Sequence, residues 1–133
     1  MKKIIITVLI TLIVSLVVGS IPAYFFYAPA QMEMNALFPE AVPAIPDPVP
    51  AISGALFLII LFVMAFDKMG ISDIRSGAIT GLWFCALTFA FFDLTLLGIT
   101  NLYSLEFAIA DIAMSTLLGA VQGAVIGWSL GKF

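Results

Sequence analysis

Phe107-Ala-Ile-Ala-Asp111-Ile-Ala-Met-Ser115-Thr-Leu-Leu-Gly119 is an apolar run interrupted by a single carboxylate. It leads into Gly119, Gly123, Gly127 and Gly131, each four residues apart, and follows a second apolar run that carries Asp93. No Lys, Arg or His occurs between Arg75 and Lys132. Only the short stretch 98–104 separates the two runs, so they read as an antiparallel membrane hairpin. Acids inside lipid-spanning helices are expensive and mark functional sites by default.

Composition extends this reading to the whole chain. Of its 133 residues 63% are hydrophobic and only 10% charged, and the mean hydropathy is +1.22. A soluble domain needs more charge to cover its surface. Several apolar stretches approach or exceed the roughly 18 to 20 residues that cross a bilayer. The expected architecture is all-α: a four-transmembrane-helix bundle forming one domain over residues 1–133. Its spans fall at about 4–27, 51–66, 76–99 and 102–130, with Pro22 as a kink in the first. The start, Met1-Lys2-Lys3 and then an apolar run from Ile4, has the pattern of a signal peptide. That run stays uncharged as far as Glu33, and Ala28-Pro29-Ala30 is a poor cleavage site, so a retained first span is expected.

Residues 29–50 hold six prolines together with Glu33, Glu40 and Asp47. Proline spacing around 42–50 opposes a continuous helix and favours extended chain. The stretch is expected to be a loop, with Met32, Leu37 and Phe38 forming a short amphipathic piece on the membrane surface. Lys2, Lys3, Lys68, Arg75 and Lys132 all fall on one side of a four-span arrangement. That bias predicts both termini in the cytoplasm. Trp83 and Trp128 read as interfacial anchors.

Helical rise puts Asp93 roughly 9 Å and Asp111 roughly 13 Å from the outer ends of their spans, so the hairpin is able to bring them together. Asn101 and Glu106 lie nearer the outer surface. Asp111, Ser115, Leu118 and Gln122 share one helical stripe, a polar line leading inward from the acid. Each four-residue glycine step drifts by about 40°, which is expected to carry Gly131 off the face of Asp111. Gly119, Gly123 and Gly127 on one span, and Gly77 and Gly81 on the other, form Gly-xxx-Gly grooves suited to helix packing. With no cation within the membrane, desolvation and mutual repulsion predict that Asp93 and Asp111 hold or share at least one proton at neutral pH.

Other chemistry has little to stand on. Cys85 is the only cysteine and there is no histidine, so no disulfide, zinc set or activated nucleophile is expected. Five basic residues form no patch for nucleic acid. The chain is expected to be no enzyme and to carry no metal or cofactor.

The blocks Phe92-Asp93-Leu94-Thr95, Thr100-Asn101-Leu102 and Ala110-Asp111-Ile112-Ala113 resemble a family of small, uncharacterised bacterial four-span membrane proteins. The resemblance covers roughly the C-terminal third. This chain departs from the family pattern in the residues separating Thr95 from Asn101 and in Met114-Ser115. It implies a bacterial inner membrane as the setting and that Asp93, Asn101 and Asp111 belong to a shared polar centre, and it implies no activity. Two functions are expected to compete. One is a membrane protein that binds or moves a proton, a cation or a small lipophilic or cationic ligand at Asp93 and Asp111, with Asn101, Glu106, Ser115 and Gln122 contributing, as a homodimer if it transports. The other is an accessory subunit whose acids meet basic residues of a larger membrane complex.

Overall fold

The computed structural model describes residues 1–133, and its regular secondary structure is all helical. Helix α1 (Lys2–Pro22) passes through a π-helical turn (Ala23–Tyr27) into α2 (Ala28–Leu37), and α3 (Pro48–Lys68), α4 (Ile74–Ile99) and α5 (Leu105–Lys132) follow. The Lys2–Leu37 rod and α3, α4 and α5 are each long and apolar enough to cross a membrane.

The first rod differs from its expected span. Helix runs unbroken for 36 residues, and residues 29–37, expected to begin a loop, form its last part. At 1.5 Å per residue the rod is about 54 Å long, well beyond the ~30 Å hydrocarbon core. Pro22 and Pro29 each withhold one N–H donor but do not end the helix. Between them the backbone widens into the π turn, where the Ala28 N–H bonds the Ala23 carbonyl. Residues 38–47 then fold back on α2: Gln31 Nε2 donates to the Pro43 carbonyl at 2.7 Å and Asn35 Nδ2 to that of Val42 at 2.7 Å. Val42 is buried beneath them.

Helix α3 is longer than the 51–66 expected, because prolines suit a first helical turn whose N–H groups lack partners in any case. Asp47 caps it, accepting from the Val49 N–H at 3.0 Å. It ends in a Schellman turn: Ile71 N–H reaches the Phe66 carbonyl, Gly70 N–H reaches that of Asp67, and Gly70 takes φ 74°. Asp73 caps α4 through the Ser76 N–H at 2.9 Å. The same Ser76 contacts hold the exposed Asp73 carboxyl below its ordinary range. Ser104 caps α5 through the Phe107 N–H at 3.1 Å.

Helices α4 and α5 make the most extensive interface. A Cβ added at Gly77 would strike the backbone of Gly123 and Gly127, one at Gly81 that of Gly119 and Gly123, and one at Gly119 the Cys85 side chain. Gly131 lies against Ser72 and Gly127 against Asp73. The glycine series therefore does not wander off the seam as angular drift suggests. Drift is measured about a single helix axis, whereas two inclined rows of every fourth residue stay in contact when the helices cross. The same rows, continued, reach Asp93 and Asp111, so both acids lie on the glycine seam at its far end.

Helix α5 also packs on α1, and α1 on α3. The four helices meet around Val8, Ile59, Phe62, Val63, Phe66, Cys85, Ile126 and Leu130. This core lies at the end of the bundle that carries both termini, where Lys3 Nζ is 2.6 Å from Asp67. At the opposite, loop end α3 has few neighbours, and residues 48–55 and Phe57 are all exposed.

Candidate functional site

Asp93 and Asp111 each sit six residues from the α4–α5 turn, counted from Ile99 and from Leu105, so both are about 9 Å along their helices. Helix α5 starts later than expected, and this removes the difference in depth. The two carboxyls are neighbours. Asp93 is 4% exposed and its Oδ2 has no hydrogen-bond partner. Asp111 is half-buried and better furnished: its Oδ1 accepts from the Tyr27 hydroxyl and from Ser115 Oγ at 3.3 Å.

In the sequence Tyr27 stands within the aromatic cluster Tyr24-Phe25-Phe26-Tyr27, a composition suited to the end of a span at the interface. Its role comes from a row at four-residue spacing along the first rod: Thr7, Thr11, Ser15, Gly19, Ala23, Tyr27. Three members of the row, Thr7, Ser15 and Tyr27, pair with α5. Thr7 Oγ1 lies 2.7 Å from Ser129 Oγ, Gln122 Nε2 donates to Ser15 Oγ at 3.0 Å, and Tyr27 donates to Asp111. Thr11 Oγ1 is buried without a partner. The π turn ends on Tyr27, and such wide turns recur at functional sites.

Asp111 opens onto a cavity of about 470 Å³ between the first rod, the folded-back loop and the start of α5. Tyr27, Tyr103 and Phe107 supply aromatic walls, Gln31 a polar one, and Val42 and Pro46 a cover. Tyr103 and Phe107 lie with ring centroids 5.2 Å apart. Burial first, then the charges of Asp93 and Asp111, push the Tyr103 hydroxyl above its ordinary range. A smaller cavity of about 250 Å³ adjoins this one and shares Met34, Leu102, Tyr103 and Phe107 with it.

The expected site residues separate accordingly. Asp93, Asp111 and Ser115 come together. Asn101 is exposed and lines the smaller cavity beside Glu33. Glu106 is exposed in the first turn of α5, where an acid complements the helix dipole. Gln122 is eleven residues along α5 from Asp111 and serves the α1 contact. The stripe predicted from Asp111 to Gln122 thus faces α1, but only its upper part belongs to the acid centre. Trp83 and Trp128 are partly exposed, and Lys132 Nζ lies 4.9 Å from the Trp128 ring centroid.

No three His, Cys, Asp or Glu side chains gather in a way that would hold a metal ion. What this arrangement offers instead is a carboxylate set in an aromatic recess, backed by a second acid. Comparison with family models, with characterised proteins and with solved structures finds no match for this chain.

Proposed function

We propose that this protein binds a small cation at Asp111 in exchange for a proton held by the Asp93/Asp111 pair. The observation that carries the reading is that Asp111 lines a cavity while Asp93, its neighbour, is shut away with a bare oxygen. Two adjoining carboxyls without a basic partner hold at least one proton between them, because isolated charge in a low-dielectric setting is costly. An arriving cation supplies the missing positive charge, and a proton leaves, so the charge of the site is conserved. Tyr27 and Ser115 fix the Asp111 carboxylate, and the aromatic walls attract a cation through their ring faces.

The distribution of basic residues supports a membrane orientation. Lys2, Lys3, Lys68, Arg75 and Lys132 gather at the end bearing the termini, which favours a cytoplasmic location for that end in a bacterial inner membrane. The acid cavity then opens toward the outer side. One observation favours an accessory role as well: the loop-end half of α3 is uncovered, and Ala51, Gly54 and Ala55 would admit a close-packed partner helix.

The test is binding of tetramethylammonium to the purified full chain, followed by calorimetry, with Asp93→Asn and Asp111→Asn as variants. Saturable binding that Asp111→Asn removes and Asp93→Asn weakens is the expected result. Equal heats for all three proteins would exclude the cation reading. A stoichiometric membrane partner retained in mild detergent, lost on Asp111→Asn, would instead establish the accessory role.

A further inference from the structure

On the lipid-facing side of the α1–α5 seam lies an apolar groove of about 350 Å³, walled by Val18, Pro22, Phe25 and Phe26 from the first rod and by Met114 and Leu117 from α5. It contains no charged residue. Its relation to the acid cavity rests on two rings. Phe26 lines the groove, Phe107 lines the cavity, and the rings stack at 5.5 Å with an interplanar angle of 12°. A single aromatic layer thus divides an apolar trough open to lipid from a recess with a carboxylate in its wall.

We propose that the two compartments form one binding site for an amphiphilic ammonium compound, its cationic head at Asp111 and its alkyl tail in the Phe25–Leu117 groove, with the Phe26/Phe107 stack as the portal between them. The proposal rests on the reading of Asp93 and Asp111 as a cation site and adds the ligand class and its route.

Three features support that occupant. The head compartment joins one carboxylate to three aromatic side chains, a set suited to alkylammonium, whose charge is diffuse and needs few hydrogen bonds. The tail compartment offers only dispersion contacts, which suit methylene chains and no polar ligand. The dividing ring is carried on a weakened stretch of backbone, since Phe26 lies within the π turn, between Pro22 and Pro29, each lacking an N–H for the helical ladder. Small backbone adjustments there swing Phe26 away from Phe107 without disturbing the glycine seam of α4 and α5. A ligand arriving from the bilayer would then reach Asp111 sideways, and its head would not have to cross the folded-back loop.

The experiment uses the full chain in uncharged maltoside micelles, which contain no competing ammonium lipid. Affinities are measured for dodecyltrimethylammonium and for tetramethylammonium, and their ratio is the readout. Leu117→Trp and Val18→Trp each place an indole in the groove from opposite walls, and micelle partitioning of the probe is the same for every variant. Both substitutions are expected to lower the dodecyl-to-tetramethyl ratio by about tenfold. Asp111→Asn is expected to remove binding of both probes. If both tryptophan variants keep the wild-type ratio while tetramethylammonium still binds, the groove is no part of the site, and the cation reading stands without it. If the wild-type protein binds neither probe, the cation reading itself is wrong and the portal falls with it.

Discussion

The Tyr27 hydroxyl donates a hydrogen bond to the Asp111 carboxylate across 84 positions of sequence. That contact joins the first rod to the last helix at the level where α4 brings in Asp93, so the acid centre depends on the packing of three separate segments.

Tyr27→Phe removes the donor and keeps the ring. A hydrogen bond to a charged acceptor contributes about 1.5 to 3 kcal/mol net to the stability of a folded protein in water. Measured interhelical bonds in lipid average nearer 0.6 kcal/mol. A loss of about 1 kcal/mol in unfolding free energy is expected, measured by denaturant unfolding in micelles, together with a shifted Asp111 carboxylate stretch in the infrared. A variant with wild-type stability and an identical infrared spectrum would mean that the contact is not formed.

The glycine seam gives a paired test. Gly123→Ala drives a methyl group into the backbone of Gly77 and Gly81, whereas the space beside Gly54 is empty. Overpacking of this kind costs about 1 to 3 kcal/mol. Ala at position 54 is expected to be neutral or to stabilise by up to about 1 kcal/mol through helix propensity. Equal effects at both positions in the same unfolding assay would contradict the close approach of α4 and α5.

The lower levels of the α1–α5 interface are expected to act as modest glue. Double-mutant cycles on Ser15/Gln122 and Thr7/Ser129, using alanine at each position, should return coupling energies of about 0.6 kcal/mol apiece. Zero coupling at both levels would leave apolar packing alone to hold these helices together.

Tyr103 reports on the acids from outside the spans. Its hydroxyl stays protonated past the ordinary phenol range because burial, Asp93 and Asp111 all oppose its anion. Asp111→Asn removes one of the three causes, so the Tyr103 titration should move down in pH, yet remain above the ordinary value because burial persists. Ultraviolet difference titration against a Tyr103→Phe control checks this. An unmoved titration would place the two groups out of electrostatic reach.

Much of this architecture was legible in residue order. Hydropathy revealed four spans, and the short 98–104 connection set Asp93 beside Asp111. Three things were hidden, each for a physical reason. Helix through Pro29 to Leu37 was obscured because proline reads as a breaker, although a π turn can absorb two missing donors. The acids' place on the glycine seam was obscured because drift about one axis says nothing of a second, crossing helix. Tyr27 was hidden because a tyrosine beside Tyr24, Phe25 and Phe26 has the composition of an interfacial aromatic cluster. The four-residue row from Thr7 through Ser15 was the signal that it points into the protein.

The central claim is that cation and proton compete for the Asp93/Asp111 pair. Calorimetry of tetramethylammonium binding near neutral pH, repeated in buffers of different ionisation enthalpy, counts the protons directly. Release of about one proton per cation bound is predicted, from linkage between the two ligands, and Asp93→Asn should reduce it. Binding with the same heat in every buffer would mean that no proton leaves, and would contradict the exchange.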